Sequence, residues 1–302
     1  MRNIVHAAAM CAASLLALSC RSAGSMDGDE HAAHASESAS TASSASQRIT
    51  GIPAGAAEAQ ARIAASPRHA EWVMIPTGVT PKDSVRAWIV YPQRKDRAPV
   101  IVVIHEIFGL SPWIRAVTDQ LAADGFIAVA PDLLTSKHIP GSPENPSPDT
   151  ARAAIRTLDG AVVQRQLAAV GAYGMRLPAA RQKYGIIGFC WGGSASFMHA
   201  VSAPTLGAAV VYYGGTPATP LLSSVRAPVL GLYGENDQRV NATIPAADST
   251  LHARGKTFEK EIFAGAGHGF LRAQAEPGGA NLAASQKAWP RTIQWFRKYL
   301  GA

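Results

Sequence analysis

The stretch GFCWGG, residues 188–193, places a cysteine where a strand is expected to turn sharply into a helix. It follows the apolar run KYGII and has the G-x-nucleophile-x-G spacing of a nucleophile elbow, in which serine is the usual central residue. Here the central residue is Cys190. Two interpretations compete, because free cysteine is also among the most buried residue types. Cys190 is either a catalytic thiol or a small residue packed into a tight turn.

Two further residues with catalytic side chains follow Cys190 along the chain, each just past a predicted strand. Asp237 lies in YGENDQRV, where Glu235 is the alternative acid, and His268 lies in AGAGHGF. Nucleophile, acid and histidine occur in this order in the triad of α/β-hydrolase sheets. A thiol must lose its proton to attack a carbonyl carbon; His268 can accept it, and Asp237 can fix the imidazole tautomer. The start of the following helix is also expected to lower the pKa of the thiol.

The segment HEIFG, residues 105–109, ends the apolar run APVIVVI and offers the remaining parts of such a site. An oxyanion hole on this kind of sheet combines the backbone N–H after the nucleophile with one from this loop. The candidate donors are the N–H groups of Trp191 and Ile107. Glu106 is predicted to hold or tune the Cys190 thiol, whereas His105 is expected to pack or bond locally.

The elements that must position these residues alternate between strand-like and helix-like patterns from about residue 67 onward. EWVMIP and SVRAWIVYP predict an opening antiparallel pair, and later apolar runs such as APVIVVIHE predict strands buried on both faces. The alternation predicts an α/β fold with a mostly parallel central sheet and helices on both faces. Ligands bind at the carboxyl ends of the strands in such sheets, where the candidate residues fall.

Four motifs together, HEIFG, GFCWGG, GENDQ and AGHGF, resemble those of the dienelactone hydrolase family over about residues 70–300. The resemblance implies an α/β-hydrolase fold and a hydrolase of carboxylic esters or lactones of the carboxymethylenebutenolidase kind. The family's catalytic cysteine, aspartate and histidine match Cys190, Asp237 and His268. Its glutamate, which contacts the thiol and takes part in its activation on substrate binding, matches Glu106.

The same resemblance implies two substrate-binding residues. The family's carboxylate-binding arginine, four residues after the histidine, matches Arg272, and the first tyrosine of its YYG motif matches Tyr212. From the residues alone, both Tyr212 and Tyr213 could be pocket or core. The sequence departs from the family at Gly269, where the family has serine, and neither Arg152 nor Arg156 aligns with the family's second carboxylate-binding arginine. These departures affect residues that would bind dienelactone, so they argue against dienelactone itself as the substrate. The residues that carry out hydrolysis are unchanged.

The composition of the chain limits the classes of molecule that the protein is expected to bind. The chain has 302 residues, a formal net charge of +7 and 47% hydrophobic residues, and its basic residues are scattered rather than clustered. This pattern is typical of ordinary surface charge rather than nucleic-acid binding. No C-x-x-C or H-E-x-x-H motif occurs in the sequence, so we expect no metal and no cofactor. The expected partner is a small-molecule ester or lactone, and the oligomeric state is not predicted.

The N-terminus has the features of an export signal. Residues 1–19, with Arg2 before an apolar stretch, predict a secretory signal peptide, and LALSC resembles a bacterial lipobox that would lipidate Cys20. Simple cleavage nearby is the alternative. Residues 20–66 are rich in Ala and Ser and predict a disordered tether, followed by the hydrolase domain at residues 67–302. We therefore expect a periplasmic protein or a membrane-anchored lipoprotein of a bacterial envelope.

The predicted reaction passes through an acyl-thioester on Cys190, with His268 as base and then acid. Two alternatives remain open at this point. One is a thioesterase or peptidase on the same fold. The other is a non-catalytic envelope lipoprotein that has kept a hydrolase fold.

Overall fold

The computed structural model describes residues 51–78 and 83–301, and these belong to one compact unit. The predicted signal peptide, the lipidation site Cys20 and the tether up to residue 50 lie outside the described residues. The signal peptide, the lipidation of Cys20 and the disorder of the tether up to residue 50 therefore stay predictions.

The centre of the fold is an eight-stranded sheet with the order β1-β2-β4-β3-β5-β6-β7-β8. Only the pairs β1–β2 and β2–β4 are antiparallel, and the other neighbours run parallel. The strands are β1 (Ala70–Pro76), β2 (Ser84–Val90), β3 (Ala98–Ile104), β4 (Ile127–Asp132), β5 (Ala180–Phe189), β6 (Leu206–Tyr212), β7 (Val229–Gly234) and β8 (Phe258–Phe263). The predicted fold class is confirmed, including the opening antiparallel pair.

Helices cover both faces of this sheet. They are α1 (Ala59–Ala64), α2 (Pro112–Ala123), α3 (Pro148–Ile155), α4 (Gly160–Arg176), α5 (Trp191–Ser202), α6 (Gln238–Asn241), α7 (Ile244–Ala253) and α8 (Ala280–Leu300). One hydrophobic cluster joins α4, α5 and α7 to the sheet, and a second joins α1, α2 and α8 to the opposite face. All seven residues of β3 are buried, as its continuous apolar run predicts for a strand covered on both sides.

Local signals explain where several helices begin. Pro112 occupies the first turn of α2 after Ser111, a position that needs no backbone N–H donor. Helix α3 ends at Ile155, and α4 begins at Gly160. The reason is Asp159, whose carboxylate accepts the N–H groups of Ala161 (2.7 Å) and Val162 (3.0 Å) and so caps the new helix.

The predicted start of the folded domain at residue 67 is wrong, because the described residues before it pack onto the domain. Ile52 and Ala59 are buried in the same cluster as α2 and α8. The backbone N–H of Ala56 donates to the carbonyl of Arg272 (2.9 Å), and the carbonyl of Pro53 accepts from Gln274 (3.0 Å). Residues 51–66, which include α1, therefore belong to the hydrolase domain rather than to the tether.

Neither a membrane-spanning helix nor a metal cluster occurs in the described part of the chain. No helix there is long and apolar enough to cross a membrane. The same residues contain no group of three or more His, Cys, Asp or Glu side chains arranged to hold a metal ion.

Candidate active site

Cys190 occupies the turn between β5 and α5 with a strained backbone. Its φ of 56° and ψ of −116° are rare for a residue with a side chain. Two glycines make the turn possible: a Cβ added to Gly188 would lie 1.9 Å from the carbonyl oxygen of Gly192, and one on Gly192 would lie 2.4 Å from that of His105. The geometry is that of a nucleophile elbow, which holds the side chain above the end of the sheet.

The predicted acid and base are hydrogen-bonded to each other. The distance from His268 Nδ1 to Asp237 Oδ2 is 2.5 Å, and Asp237 is only 7% exposed. Its other oxygen accepts the N–H of Val240 at the start of α6 (3.4 Å). The alternative acid Glu235 instead accepts the backbone N–H of Gly265 (2.8 Å). Because the Nδ1 proton is directed at Asp237, Nε2 of His268 is the nitrogen that can accept a proton from a nucleophile.

The surroundings of Cys190 favour the neutral form of its thiol. Burial raises the pKa of Cys190, the nearby Glu106 and Asp237 raise it further, and the N–H of Trp191 and the charge of Arg239 only partly oppose this. The expectation that the helix start lowers this pKa below its usual value is therefore wrong, because desolvation of the thiolate outweighs the helix terminus. Within the described residues no hydrogen bond joins Cys190 to His268, so attack requires a base to engage the thiol.

Glu106 lies buried beside this thiol and faces Arg272. It is 3% exposed, and burial raises the pKa of its carboxyl from its usual value near 4.5 to about 7, although Arg272 lowers it. Arg272 Nε lies 3.1 Å from Glu106 Oε1. The two atoms are close enough for an ion pair but are not aligned as a hydrogen bond, and both remain without a hydrogen-bond partner. The structure thus brings the predicted Glu106 and Arg272 together at the site.

Two further residues lie at this corner: Phe108, to which no role was assigned from the sequence, and Arg152, which the motif comparison set aside. The guanidinium of Arg272 lies 5.0 Å from the ring centroid of Phe108, and that of Arg152 lies 5.4 Å from the same ring. Phe108 belongs to HEIFG, and Arg152 belongs to α3. The path of the chain from β4 to α3 brings Arg152 here, and no local pattern in that proline-rich loop indicates it.

Tyr212 packs in the core with its hydroxyl directed at α8, and its predicted role in substrate binding stays a prediction. It is fully buried, and its hydroxyl bonds to Oγ1 of Thr292 on α8 (2.8 Å). Its neighbour Tyr213 has a φ of 41°, and its ring centroid lies 5.2 Å from that of His268. The Tyr213 hydroxyl is buried without a hydrogen-bond partner. The second tyrosine of the pair therefore contacts the site.

The remaining predicted residues lie on the two loops that flank the nucleophile. The N–H of Trp191 is directed at the Cys190 sulfur, while Ile107 lies in the turn closed by the bond from Gly109 N–H to the Glu106 carbonyl (3.2 Å). Their role as oxyanion donors stays a prediction.

His105 bonds locally, as predicted. Its Nδ1 lies 2.8 Å from the Glu106 carbonyl, and its Nε2 accepts the N–H of Leu133 (3.2 Å). Burial lowers its pKa. A neutral His105 thus links the end of β3 to the end of β4.

A parallel sheet with a strained elbow and a hydrogen-bonded Asp–His pair at its carboxyl edge defines the class of α/β-hydrolases. Residues 85–300 match the model of the Dienelactone hydrolase family. The chain belongs to this family.

Individual relatives agree with this assignment. The chain is 30% identical over 267 residues to a Salmonella typhimurium protein provisionally assigned as a carboxymethylenebutenolidase, covering 82% of this chain and 97% of that protein. It is 30% identical over 210 residues to the carboxymethylenebutenolidase of Rhodococcus opacus, covering 66% of this chain and 81% of the relative. A crystal structure of a Klebsiella pneumoniae protein, provisionally assigned as a dienelactone hydrolase, superposes with a TM-score of 0.68 at 27% identity, covering 77% of this chain and 99% of the other. The protein is a dienelactone hydrolase-like enzyme that acts on carboxylic esters or lactones.

Proposed function

We propose that the enzyme cleaves its ester or lactone through a covalent acyl-thioester on Cys190, with His268 and Asp237 completing the triad. The observation that carries this proposal is the 2.5 Å hydrogen bond between His268 and Asp237 at the same sheet edge as the strained Cys190 elbow. Asp237 holds the imidazole with Nε2 free to accept a proton. A lone structural cysteine would need neither this pair nor a backbone strained at the nucleophile position.

In the acylation half of the reaction, the Cys190 thiol gives its proton to His268 while sulfur attacks the carbonyl carbon. The negative charge that develops on the carbonyl oxygen is stabilised by the N–H groups of Ile107 and Trp191. The tetrahedral intermediate collapses, the carbon–oxygen bond of the ester breaks, and His268 returns the proton to the leaving oxygen. In the second half, His268 activates a water that hydrolyses the thioester and restores the thiol.

The nucleophile restricts the leaving group. A thiolate is a weaker base than an alkoxide or an amide nitrogen, so an intermediate on Cys190 with such a group tends to expel the thiolate and return to substrate. Activated esters and enol lactones, whose leaving oxygens are weak bases, avoid this reversal. We therefore rank these substrates above simple alkyl esters, and peptides last.

The charges around Phe108 favour a substrate that carries a carboxylate. Arg272 and Arg152 present two guanidinium groups on that ring, and Arg272 is already paired with a carboxylate, Glu106. A substrate carboxylate bound to Arg272 competes with Glu106 for it and leaves the Glu106 carboxylate free to act on the neighbouring thiol.

The test compares the parent enzyme with Cys190→Ala on p-nitrophenyl acetate and on an enol lactone, under reducing conditions. The parent is expected to turn over both substrates, and the variant is expected to lose at least about 10³-fold in kcat while keeping its melting temperature. Equal rates for the two proteins would contradict the proposal.

We also propose that the enzyme is exported to the bacterial envelope, with Cys20 as a lipid anchor. The apolar leader and the LALSC sequence support this proposal. In cells, Cys20→Ser is expected to move the protein from the membrane fraction to the soluble fraction, because the acyl chains would be lost. If the variant stays in the membrane fraction, Cys20 is not the lipid anchor. If parent and variant are both recovered from the cytoplasm, the protein is not exported.

A further inference from the structure

An open groove of 510 Å³ runs along the surface between α4 and α5, beside the residue that follows the nucleophile. Its lining is mostly apolar and includes Leu158, Ala161, Val163, Trp191 and Met198. One water occupies about 30 Å³ in the liquid, so the groove has room for an alkyl chain of several carbons or for an aromatic ring. Small-molecule sites are commonly apolar clefts of this size with few polar groups.

The floor of the groove is fixed by hydrogen bonds that join the two helices. Gln164 on α4 donates through Nε2 to the carbonyl of Ala195 (3.2 Å) and accepts through Oε1 from His199 Nδ1 (2.8 Å). The Nε2 of His199 is bonded to the Tyr184 hydroxyl (3.1 Å). Burial lowers the pKa of His199 to about 4, so this floor stays uncharged at neutral pH. The groove is therefore apolar, and the hydrogen bonds between α4 and α5 hold its shape.

The groove begins beside the catalytic elbow, at the residue that follows Cys190. Trp191 is the residue after Cys190, its N–H is directed at the thiol sulfur, and it also lines the groove. Ser194, a second lining residue, donates its N–H to the Cys190 carbonyl (3.2 Å) in the first turn of α5. Trp191 and Ser194 therefore belong both to the helix start that follows Cys190 and to the lining of the groove.

We propose that this groove binds the acyl chain of the ester, and that the enzyme prefers substrates with an apolar acyl group of medium length. The proposal rests on the proposed function, because only an acyl group carried by Cys190 is placed beside Trp191. The charged corner at Phe108 and the apolar groove then bind different parts of the same substrate. Burial of each added methylene against the groove strengthens binding in the transition state.

Gly160 gives a clean way to fill the groove. It lines the groove at the start of α4, and a Cβ added there has no atom within 4 Å. Its φ lies outside the positive range, so a side chain costs no backbone strain. Gly160→Phe therefore occupies the groove without disturbing its walls. Arg165→Phe is the matched control, because it adds the same side chain to the exposed part of the same helix outside the groove.

The experiment measures kcat/KM for p-nitrophenyl acetate, butyrate and octanoate with the parent, Gly160→Phe and Arg165→Phe. The parent and the control are expected to gain at least about 10-fold from acetate to octanoate. Gly160→Phe is expected to lose this gain, so that its kcat/KM no longer rises from acetate to octanoate, while it keeps its melting temperature.

Each other outcome overturns one specific claim. A parent that hydrolyses acetate and octanoate equally, or a Gly160→Phe variant that keeps the gain, removes the acyl groove and leaves the proposed function standing. A second series of acetates with longer alcohol groups identifies the leaving-group side. If chain length matters only in that series, the groove binds the alcohol and the acyl assignment is wrong. If the parent enzyme hydrolyses none of these esters, the proposed function itself is contradicted.

Discussion

Burial raises the pKa of two acidic groups that lie side by side, the Cys190 thiol and the Glu106 carboxyl. Both are therefore held toward their neutral forms, and a negative charge on either one disfavours a charge on the other. Near pH 7 about half of Glu106 is ionised, since its pKa is about 7. The protonated thiol is thus favoured at rest, and its activation depends on groups that move or bind when a substrate arrives.

The raised pKa of Glu106 has a consequence for stability. The folded state binds this proton more tightly than the unfolded state, so the stabilising contribution is full below about pH 4.5 and is lost as pH rises to about 7. Replacing the carboxyl by an amide removes the cost of a buried charge. Glu106→Gln is therefore expected to raise the free energy of unfolding at pH 8 by up to about 3 kcal/mol, and by much less at pH 5.

Denaturant unfolding at the two pH values measures this difference. Glu261→Gln, on the edge strand β8, serves as the control and is expected to change stability by less than about 0.5 kcal/mol at either pH. A Glu106→Gln variant that is equally or less stable than the parent at pH 8 would show that Arg272 compensates the buried charge fully.

Residues 51–68 form a surface segment, here called the strap, that packs against α2 at one end and against the loop of Arg272 at the other. Near its C-terminal end, Arg68 makes two hydrogen bonds to Asp119 on α2 (2.8 and 2.5 Å), and Ser66 bonds to the same carboxylate. Near its N-terminal end, Ala56 bonds to the carbonyl of Arg272. The strap therefore connects the helix that follows the Glu106 loop with the loop that carries Arg272.

Removing the guanidinium that pairs with Asp119 is expected to be costly. The Asp119 side chain is 5% exposed and that of Arg68 is 11% exposed. Arg68→Ala therefore leaves this buried carboxylate to the Ser66 hydroxyl and to the more distant Arg62, whose Nε lies 3.9 Å from Asp119 Oδ2. We expect a loss of about 3 kcal/mol in the free energy of unfolding. The control is Arg94→Ala, which breaks a pair with Asp96, whose side chain is 63% exposed, and should cost much less because solvent screens this pair. Equal losses in thermal or denaturant unfolding would mean that the strap is not held by this pair.

The turn between β5 and α5 leaves no room for a side chain at Gly188. A Cβ on Gly188 would lie 1.9 Å from the Gly192 carbonyl oxygen, an overlap that only a shift of the α5 backbone can relieve. Gly188→Ala is therefore expected to abolish folding or reduce kcat by at least about 10²-fold. Gly160→Ala, at a position with free space, is expected to leave kcat unchanged and to raise stability by up to about 1 kcal/mol. A fully active Gly188→Ala enzyme would show that the elbow tolerates a different backbone path.

For the whole molecule, the sequence is sufficient to predict the fold class and where the site assembles. Continuous apolar runs indicate buried parallel strands, and parallel strands bring their carboxyl ends to one edge, which is why Asp237 and His268 meet although 31 residues separate them. The start of the domain was missed because the Ala-rich segment around α1 has the composition of a linker. Its long-range contacts show that it is folded: Ile52 and Ala59 are buried in the core, and Ala56 bonds to Arg272.

The features of the site that the sequence did not indicate have a similar origin in tertiary structure. Tyr212 and Tyr213 are both buried in the core, and the positive φ of Tyr213, just past the end of β6, turns its ring toward His268 in a way that no sequence pattern indicates. The sequence suggested a lowered pKa for Cys190 because the helix start is visible as a motif, whereas the extent of burial that raises the pKa is not.

The central claim is that the acyl group is transferred to Cys190, and its most direct test is to trap that intermediate. The full chain is mixed with an activated ester and quenched in acid within one turnover, and the protein is digested and analysed by mass spectrometry. We expect one acyl group on the peptide that contains Cys190, and none in Cys190→Ala or after the substrate is consumed. An active enzyme that carries no acyl group on this peptide at any time, or carries it on another residue, would contradict the account.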